Sequence, residues 1–298
     1  MTVQNIKLPL AFTSSSALYL KPEYTLHAFI SGNKFRKLRY NIEEAKALKH
    51  HRLLTFGGAY SNHLAAVAAA GKIHGFSTVG IVRGEELETV ATQNPTLQYC
   101  RTQGMQLHFV DRATYRTKGS REFTDYLHTE FGDFYLLPEG GTNAPAVKGC
   151  EEILTAEDAA FDYICCPVGT GGTLAGISNS AGAHQKILGF PALKGDFLNE
   201  AIRLYTQKTN WELVTDYHFG GYAKINPSLI AFINWFKTTY TIPLDPVYTG
   251  KMMYGVFDLL RKGYFAPDTK ILVIHTGGLQ GISGMNQVLK QRGLPHIE

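Results

Sequence analysis

The stretch SGNKFRKLRYN, residues 31–41, places a lysine directly behind Ser-Gly-Asn. Apolar residues recur at steps of three and four from Phe35 onward, which predicts a helix that begins close to Lys34. A lysine amine can attack a carbonyl and form a Schiff base once desolvation or a neighbouring cation removes its proton. Lys37, one turn further along, could be that neighbour or could pair with a phosphate. A solvated surface lysine is the alternative for both.

A glycine-rich loop, GTGGT at residues 169–173, lies between the apolar pattern YICCPV and the helical pattern LAGISNSAG. Glycines let backbone N–H groups approach an anion closely, and the N-terminus of the following helix favours negative charge. The loop therefore predicts a phosphate site, with a tight turn without ligand as the alternative. Leu174 replaces the third glycine of a dinucleotide-binding motif, and the Gly-Lys-Ser/Thr of a P-loop is missing. The loop thus supports phosphate but not a nucleotide.

A third stretch, GGAYSNH at residues 57–63, separates the strand pattern RLLTF from an Ala-rich helical pattern. Ser61 and Asn62 stand where the N-cap of that helix is expected, and capping alone would explain them. Two glycines with Ser and Asn could equally surround a carboxylate, because helix N-termini favour anions. The stretch is a candidate carboxylate site that needs support from the rest of the chain.

Short apolar runs alternate with helical patterns along almost all of the 298 residues. This repetition predicts parallel sheets with crossover helices on both faces, and the length suggests about two domains. We therefore expect an α/β protein with two such sheets and a domain boundary in the Gly-rich stretch 138–142. Reactive groups in this fold belong at the carboxyl ends of the strands, in the loops that lead into helices.

Composition argues against several classes of protein. With 44% hydrophobic and 18% charged residues the chain is typical of a globular protein, and a net charge of +4 is too small for a nucleic-acid-binding surface. The N-terminus lacks the features of a secretory signal and no apolar run approaches about 20 residues, so we expect a cytoplasmic protein without a membrane span. The four cysteines lack CxxC spacing and the eleven histidines lack HExxH spacing. We expect reduced thiols and no metal site.

A lysine and a phosphate loop that bind the two ends of one ligand fit pyridoxal 5'-phosphate, which carries an aldehyde and a phosphate. The motifs GNKFRKLRYN, GGAYSNHLAAVAAAG, GTGGTLAGI, LDPVYTGK and HTGG occur in that order between about residues 18 and 290. They resemble the fold-type-II pyridoxal-phosphate enzymes, and among these the 1-aminocyclopropane-1-carboxylate deaminase and D-cysteine desulfhydrase family. The resemblance implies a fold like that of the tryptophan synthase β subunit and a homodimer. It also implies a larger cofactor-binding domain, residues 1–36 plus 139–298, and a smaller domain, residues 37–138.

The resemblance implies a role for each cofactor-binding position. In the family the lysine of the GNKxRK motif carries the cofactor as a Schiff base, which implies Lys34, and the second lysine, here Lys37, lies near the phosphate. Asn62 would bind the ring oxygen of the cofactor, and Thr249 would face the pyridine nitrogen. The phosphate loop would comprise Val168, Gly169, Thr170, Gly171, Gly172 and Thr173.

The resemblance also implies a substrate site. Ser61 and Asn62 would bind the substrate carboxylate, and Ser61 is a candidate to move the proton off Lys34. Two tyrosines of the family's site correspond to Tyr222 in HFGGYAK and Tyr248 in DPVYTGK, with core packing as the alternative for either. The substrate-binding positions are then Ser61, Asn62, His63, Tyr222, Tyr248 and Thr276, and the catalytic ones are Lys34, Ser61, Tyr222 and Tyr248.

Two positions separate the sister activities of this family. Members that open the cyclopropane ring have Glu after the tyrosine of DPVY and Leu after the last strand, whereas this chain has Thr249 and Thr276. A threonine hydroxyl cannot keep a proton on the pyridine nitrogen as a carboxylate can, so the cofactor would be a weaker electron sink. We therefore expect a lyase that removes an α proton, most simply by Lys34, and expels sulfide from D-cysteine, leaving pyruvate and ammonia.

Other functions stay open. One is the deamination of 1-aminocyclopropane-1-carboxylate to 2-oxobutyrate, a hydrolase-type reaction. Another is a cofactor-binding protein with little catalysis, because the family's Lys-Arg-Glu-Asp is replaced within LYLKPEYTLHAF, where Pro22 stiffens the chain. A nucleotide-dependent oxidoreductase is disfavoured by Leu174.

Overall fold

The computed structural model describes residues 2–10, 12 and 14–298. Its strands are, in chain order, β1 (Ile6–Leu8), β2 (Ala17–Lys21), β3 (Arg52–Gly57), β4 (Ser77–Arg83), β5 (Met105–Val110), β6 (Tyr135–Leu137), β7 (Tyr163–Val168), β8 (Lys186–Pro191), β9 (Trp211–Leu213) and β10 (Lys270–Ile274). Its helices are α1 (Asn33–Ala47), α2 (Asn62–His74), α3 (Pro95–Thr102), α4 (Arg112–Arg116), α5 (Arg121–Phe131), α6 (Ala144–Glu151), α7 (Gly172–Ser180), α8 (Phe197–Arg203), α9 (Pro227–Tyr240), α10 (Thr249–Arg261) and α11 (Gly281–Gln291). No helix of this described part is long and apolar enough to cross a membrane.

The larger sheet has the strand order β1-β2-β10-β7-β8-β9. Neighbouring strands run parallel, except that β1 pairs antiparallel with β2, with Ile6 opposite Leu20. Successive residues of a strand point to opposite faces. Cys165 accordingly packs in the core formed with α9 and α10, whereas Cys166 packs in the core formed with α6, α7 and α8. Helices therefore cover both faces of this sheet.

The smaller sheet has the order β5-β4-β3-β6, and its strands all run parallel. Leu53 of β3 packs in the core formed with α1, α2 and α3, whereas its neighbour Leu54 packs in the core formed with α5. Near-continuous apolar strands of this kind are expected where both faces are covered. The prediction of an α/β protein with two parallel sheets and helices on both faces is confirmed.

The two sheets use different parts of the chain. The strands of the smaller sheet lie between residues 52 and 137, and those of the larger sheet lie in residues 6–21 and 163–274. Helix α1 runs without interruption across the boundary predicted between residues 36 and 37. The division into 1–36 plus 139–298 and 37–138 stays a prediction.

Two buried ion pairs fix the segment that precedes the candidate lysine. Lys21 lies 2.6 Å from Asp158, and Glu23 accepts two hydrogen bonds from the guanidinium of Arg36, of 2.8 and 2.9 Å. Buried pairs are demanding in geometry, so they specify one arrangement of the chain more than they stabilise it. The segment LYLKPEY is therefore tied to the fold at Lys21 and at Glu23.

Candidate active site

Lys34 is the second residue of α1, and the start of this helix is seated against the loop after β10. The backbone N–H of Asn33 donates to the carbonyl of Thr276 over 3.1 Å. At the N-cap Gly32 (φ 60°, ψ −134°), a Cβ atom would lie 1.9 Å from the same carbonyl oxygen. Only glycine fits this approach, which explains the glycine two residues before the lysine.

The Lys34 amine is set to lose its proton near neutral pH. Desolvation, and after it the positive charge of Lys37, lower the pKa of Lys34 to about 7. The ammonium donates a hydrogen bond of 2.9 Å to Oδ1 of Asn33. A lysine with a lowered pKa is a nucleophile toward carbonyl groups, and it can also exchange a proton with a bound molecule.

Lys37 connects two loops at the same cavity. Its Nζ donates to the carbonyl of Gly140 and to Oγ1 of Thr142, both over 2.9 Å, and lies 3.4 Å from Oγ1 of Thr170. Burial lowers the pKa of Lys37 to about 8. The side chain thus places a cation against the glycine-rich loop, where the sequence predicts a phosphate.

The loop between β7 and α7 forms one wall of the cavity. Val168, Gly169, Thr170, Gly171 and Thr173 line it, at the N-terminus of α7. Gly172 does not line it, because this residue packs against Thr142 instead. Asn33 bridges the loop to Lys34, since its amide also donates to Oγ1 of Thr173 over 2.8 Å. The amine and the glycine-rich loop therefore face one another in one cavity.

The stretch before α2 and the first residues of this helix also line the cavity. Ser61 caps α2 by accepting the backbone N–H of Leu64 over 3.2 Å, so capping and a place in the cavity wall coexist in one residue. Among the described residues, Oδ1 of Asn62 and both ring nitrogens of His63 are buried without a well-formed hydrogen bond. Burial, with the charges of Lys34 and Lys37, holds the pKa of His63 well below its usual range, although the carbonyl of Pro138 opposes this shift.

Unsatisfied buried polar atoms are rare and call for an explanation. The orphaned oxygen of Asn62 and the nitrogens of His63 belong to residues that line the cavity. A bound polar ligand would satisfy them.

The rings of Tyr222 and Tyr248 meet edge to face in the wall of the cavity. Their ring centroids lie 6.2 Å apart, with 67° between the planes. Tyr248 is partly buried and packs against Gly169, where a Cβ atom would lie 3.1 Å from its ring. Burial first, then the proximity of Tyr222 and Asp245, raise the pKa of Tyr248 well above its usual range. Tyr222 is 45% exposed and lines the entrance side. Both predicted tyrosines are therefore in the cavity wall.

Thr276 lines the cavity, whereas Thr249 does not. The Thr249 hydroxyl is fully buried, where it donates to Oδ1 of Asp245 over 2.7 Å and accepts the backbone N–H of Asp245 over 2.9 Å. Asp245 in turn accepts the backbone N–H groups of Val247, Tyr248 and Thr249. The Thr249 hydroxyl is thus hydrogen-bonded to Asp245 at the start of α10, and the expected contact of Thr249 with the pyridine nitrogen stays a prediction.

Asp245 and Arg83 are residues to which sequence reasoning assigned no role. Asp245 is buried, and its charge acts on Lys34 from the start of α10. The sequence could have indicated Asp245, because an Asp a few residues before a helix is typical of a capping residue. Arg83 lines the cavity at the carboxyl end of β4, with its guanidinium 5.8 Å from the ring of Tyr115. The sequence carries no signal for Arg83.

The cavity has a volume of about 520 Å³, within the range usual for sites of small ligands. A lysine with a lowered pKa, a neighbouring lysine that is buried and a glycine loop at a helix N-terminus lie around it. This combination defines an enzyme that binds a phosphorylated carbonyl cofactor through a lysine.

The chain belongs to the family described as pyridoxal-phosphate dependent enzyme, whose sequence model matches residues 6–277. Pyridoxal 5'-phosphate is the cofactor of this family. A bifunctional D-cysteine desulfhydrase/1-aminocyclopropane-1-carboxylate deaminase of Arabidopsis thaliana is 30% identical, over 90% of this chain and 74% of that protein. A 1-aminocyclopropane-1-carboxylate deaminase of Rhizobium rhizogenes is 27% identical, over 85% of this chain and 84% of that protein.

Solved structures agree with this assignment. A crystal structure described as an ACC deaminase homologue superposes with a TM-score of 0.82 at 28% identity, over 98% of this chain and 94% of that chain. The fold is that of the fold-type-II pyridoxal-phosphate enzymes, as the sequence predicts.

The residues of the cavity fit this cofactor. Lys34 would bind its aldehyde carbon, and Lys37 with the 168–173 loop would bind its phosphate. Asn62, whose Oδ1 is buried without a partner, would bind a polar group of the ring. When bound, the cofactor supplies a carbonyl for the lysine and an electron sink for the substrate.

Proposed function

We propose that the protein is a lyase that converts D-cysteine and water into pyruvate, hydrogen sulfide and ammonia, using pyridoxal 5'-phosphate. The observation that carries this proposal is the scarcity of carboxylates in the cavity wall. Among the described residues that line the cavity, Glu139 is the single carboxylate, and it already bonds the hydroxyl of Tyr115 over 2.8 Å and lies 3.2 Å from Lys118.

The absence of a free carboxylate in that wall favours elimination over ring opening. Asp245 lies behind the wall and its carboxylate is used by three backbone N–H groups and the Thr249 hydroxyl. A protonated pyridine nitrogen would have no anionic partner, so the electron sink would be moderate. Removing an α proton and expelling a β thiolate requires less electron withdrawal by the cofactor than opening a ring that has no α hydrogen.

The protein's own residues supply the remaining functions. Lys34, with its pKa of about 7, can take up the α proton at Nζ near neutral pH, which is where a general base works best. Ser61 and Asn62, at the N-terminus of α2, are suited to bind the substrate carboxylate. Tyr222 and Tyr248 are suited to cover the reacting side chain of the substrate and restrict water.

The proposal is tested by incubating the cofactor-loaded protein with D-cysteine and measuring sulfide and pyruvate together. We expect equal amounts of the two products, with L-cysteine as the comparison substrate. Lys34→Ala should abolish both the visible absorbance of the bound cofactor and turnover. A fully loaded wild-type protein that leaves D-cysteine unchanged would contradict the proposal.

The second candidate is deamination of 1-aminocyclopropane-1-carboxylate to 2-oxobutyrate. Relatives at 27–30% identity that carry this activity in their names support it as strongly as they support the first. The two candidates are separated by assaying both substrates on one preparation, with pyruvate and 2-oxobutyrate as the measured products. Formation of 2-oxobutyrate without pyruvate would favour the second candidate.

A binding protein with little catalysis is the third candidate, and the ties of the segment before Lys34 count against it. Lys21 and Glu23 are engaged in buried ion pairs, so the two missing family charges do not leave this segment loose. A binding protein of this kind would be coloured by the bound cofactor and would turn over neither substrate. The cytoplasmic location and the homodimer expected from the sequence stay predictions.

A further inference from the structure

One face of α10 contacts the segment that leads to Tyr222. Lys251, Tyr254 and Asp258 stand at positions i, i+3 and i+7 of this helix and so share a face. Asp258 accepts the hydroxyl of Tyr217 over 2.7 Å. The ring of Tyr254 lies edge-on to Phe219, with centroids 5.0 Å apart. The helix therefore contacts this segment at successive points along one face.

Lys251 is the member of this face closest in sequence to Tyr248 and bonds the residue next to Tyr222. Its side chain is 1% exposed, and its ammonium donates to the carbonyls of His218 and Gly221 over 2.9 and 2.7 Å. Among the described residues no carboxylate lies within ion-pair distance of this ammonium. A buried cation without an ionic partner is costly, so its two carbonyl acceptors are needed in place.

The turn that Lys251 bonds adopts an unfavourable backbone. Phe219 and Ala223 have φ values of 54° and 55°, and Gly220 and Gly221 between them have φ values of 91° and 113°. Left-handed conformations at Phe and Ala are uncommon and persist only where surrounding contacts hold them. The carbonyls of His218 and Gly221 also accept the backbone N–H groups of Gly221 and Lys224, so Lys251 bonds the acceptors on which the turn depends.

We infer that Lys251 is a positioning residue, whose ammonium fixes the turn of residues 218–221 on α10 and thereby sets Tyr222 against Tyr248 over the cavity. Tyr248 precedes the first residue of the same helix, so α10 fixes one tyrosine directly and the other through Lys251. The consequence for catalysis rests on the proposed function, in which the two tyrosines cover the substrate. The consequence for the turn does not.

Hydrogen exchange of the cofactor-loaded protein tests this inference. Lys251→Met keeps most of the buried volume and removes the ammonium, and Lys290→Met, an exposed lysine on α11, is the control for loss of one charge. We expect exchange of residues 218–224 to become about tenfold faster in Lys251→Met and to stay at the wild-type rate in Lys290→Met, since fewer contacts then oppose local opening. The visible absorbance of the bound cofactor should be retained in both.

Turnover gives the second readout. We expect kcat for D-cysteine to fall about tenfold in Lys251→Met, with a smaller change in KM, because Tyr222 is misplaced rather than removed. Exchange of residues 218–224 at the wild-type rate in Lys251→Met would overturn the inference, as would faster exchange with kcat unchanged. A wild-type protein inactive on D-cysteine would contradict the proposed function, while the exchange result would still decide whether Lys251 fixes the turn.

Lys251→Gln serves if Lys251→Met cannot be purified. The glutamine side chain is one bond shorter and reaches one of the two carbonyls, so exchange of residues 218–224 should be about threefold faster than in the wild type. Exchange at the wild-type rate in this variant would overturn the inference as well.

Discussion

The ammonium groups of Lys34 and Lys37 lie one turn apart on α1, and the charge of Lys37 adds to desolvation in lowering the pKa of Lys34 to about 7. One helix thus presents a reactive amine and the cation that activates it to the same cavity. The same Lys37 bonds Gly140 and Thr142, more than a hundred residues away, so its position is fixed by the tertiary fold.

Replacing Lys37 by methionine should raise the pKa of Lys34. The free amine is the form that attacks the cofactor aldehyde, so the rate of cofactor capture by the apoprotein should rise with pH through about 7 in the wild type. In Lys37→Met this rise should move to higher pH, because the opposing positive charge is gone. Stopped-flow absorbance across pH measures it, with the exposed Lys46→Met as control. An unchanged midpoint would contradict the assigned coupling.

Ser61→Ala should separate capping from a role in the cavity. Ser61 and Ser120 cap α2 and α5 through hydrogen bonds of 3.2 Å each, to Leu64 and Phe123. Each alanine variant should lower the free energy of unfolding by about 1 kcal/mol. Only Ser61→Ala should also reduce kcat/KM, by at least about tenfold, because Ser120 lies outside the cavity. Urea unfolding and steady-state kinetics measure the two effects, and equal activity in both variants would restrict Ser61 to capping.

Gly32→Ala should prevent the Lys34 side chain from adopting its position in the cavity. A Cβ at residue 32 would collide with the Thr276 carbonyl, so we expect a loss of roughly 2 kcal/mol in unfolding free energy and a large loss of cofactor affinity. Gly75→Ala is the matched control, because Gly75 also has a positive φ, of 76°, but has open space around its Cβ position. The control should lose about 1 kcal/mol and retain the cofactor. Normal cofactor binding by Gly32→Ala would show that the close approach is dispensable.

Arg83→Gln should weaken substrate binding more than catalysis. The guanidinium lines the cavity without a carboxylate partner among the described residues, close to Gly58 in the stretch 57–63 that we propose to bind the substrate carboxylate. Loss of one exposed charge should raise KM about two- to fivefold, and more at low ionic strength, with kcat nearly unchanged. Arg112→Gln, which removes an exposed arginine paired with Glu86, is the control. A KM insensitive to salt in the wild type would argue against this role.

The sequence predicts the local parts of this site, because each depends on neighbouring residues. The helix start at Lys34, the glycine loop before α7 and the cap at Ser61 all follow from short-range patterns. The α/β class follows from alternation of strands and helices along the chain.

Long-range partners could not be predicted in this way. The bonds of Lys37 to the 140–142 turn join residues 103 and 105 positions apart, and those of Lys251 to the 218–221 turn join residues 33 and 30 apart. The motif position of Thr249 predicts a contact with the cofactor, which stays a prediction, but it does not predict the hydrogen bond that this hydroxyl donates to Asp245, four residues earlier.

The continuity of α1 has a mechanical consequence. Its first turn carries Lys34 and rests on the loop after β10, while Leu38, Ile42 and Ala45 further along pack in the core beneath the smaller sheet. One continuous helix therefore joins the residue that carries the reactive amine to the smaller sheet. A rotation of that sheet would be transmitted along α1 and would displace the amine.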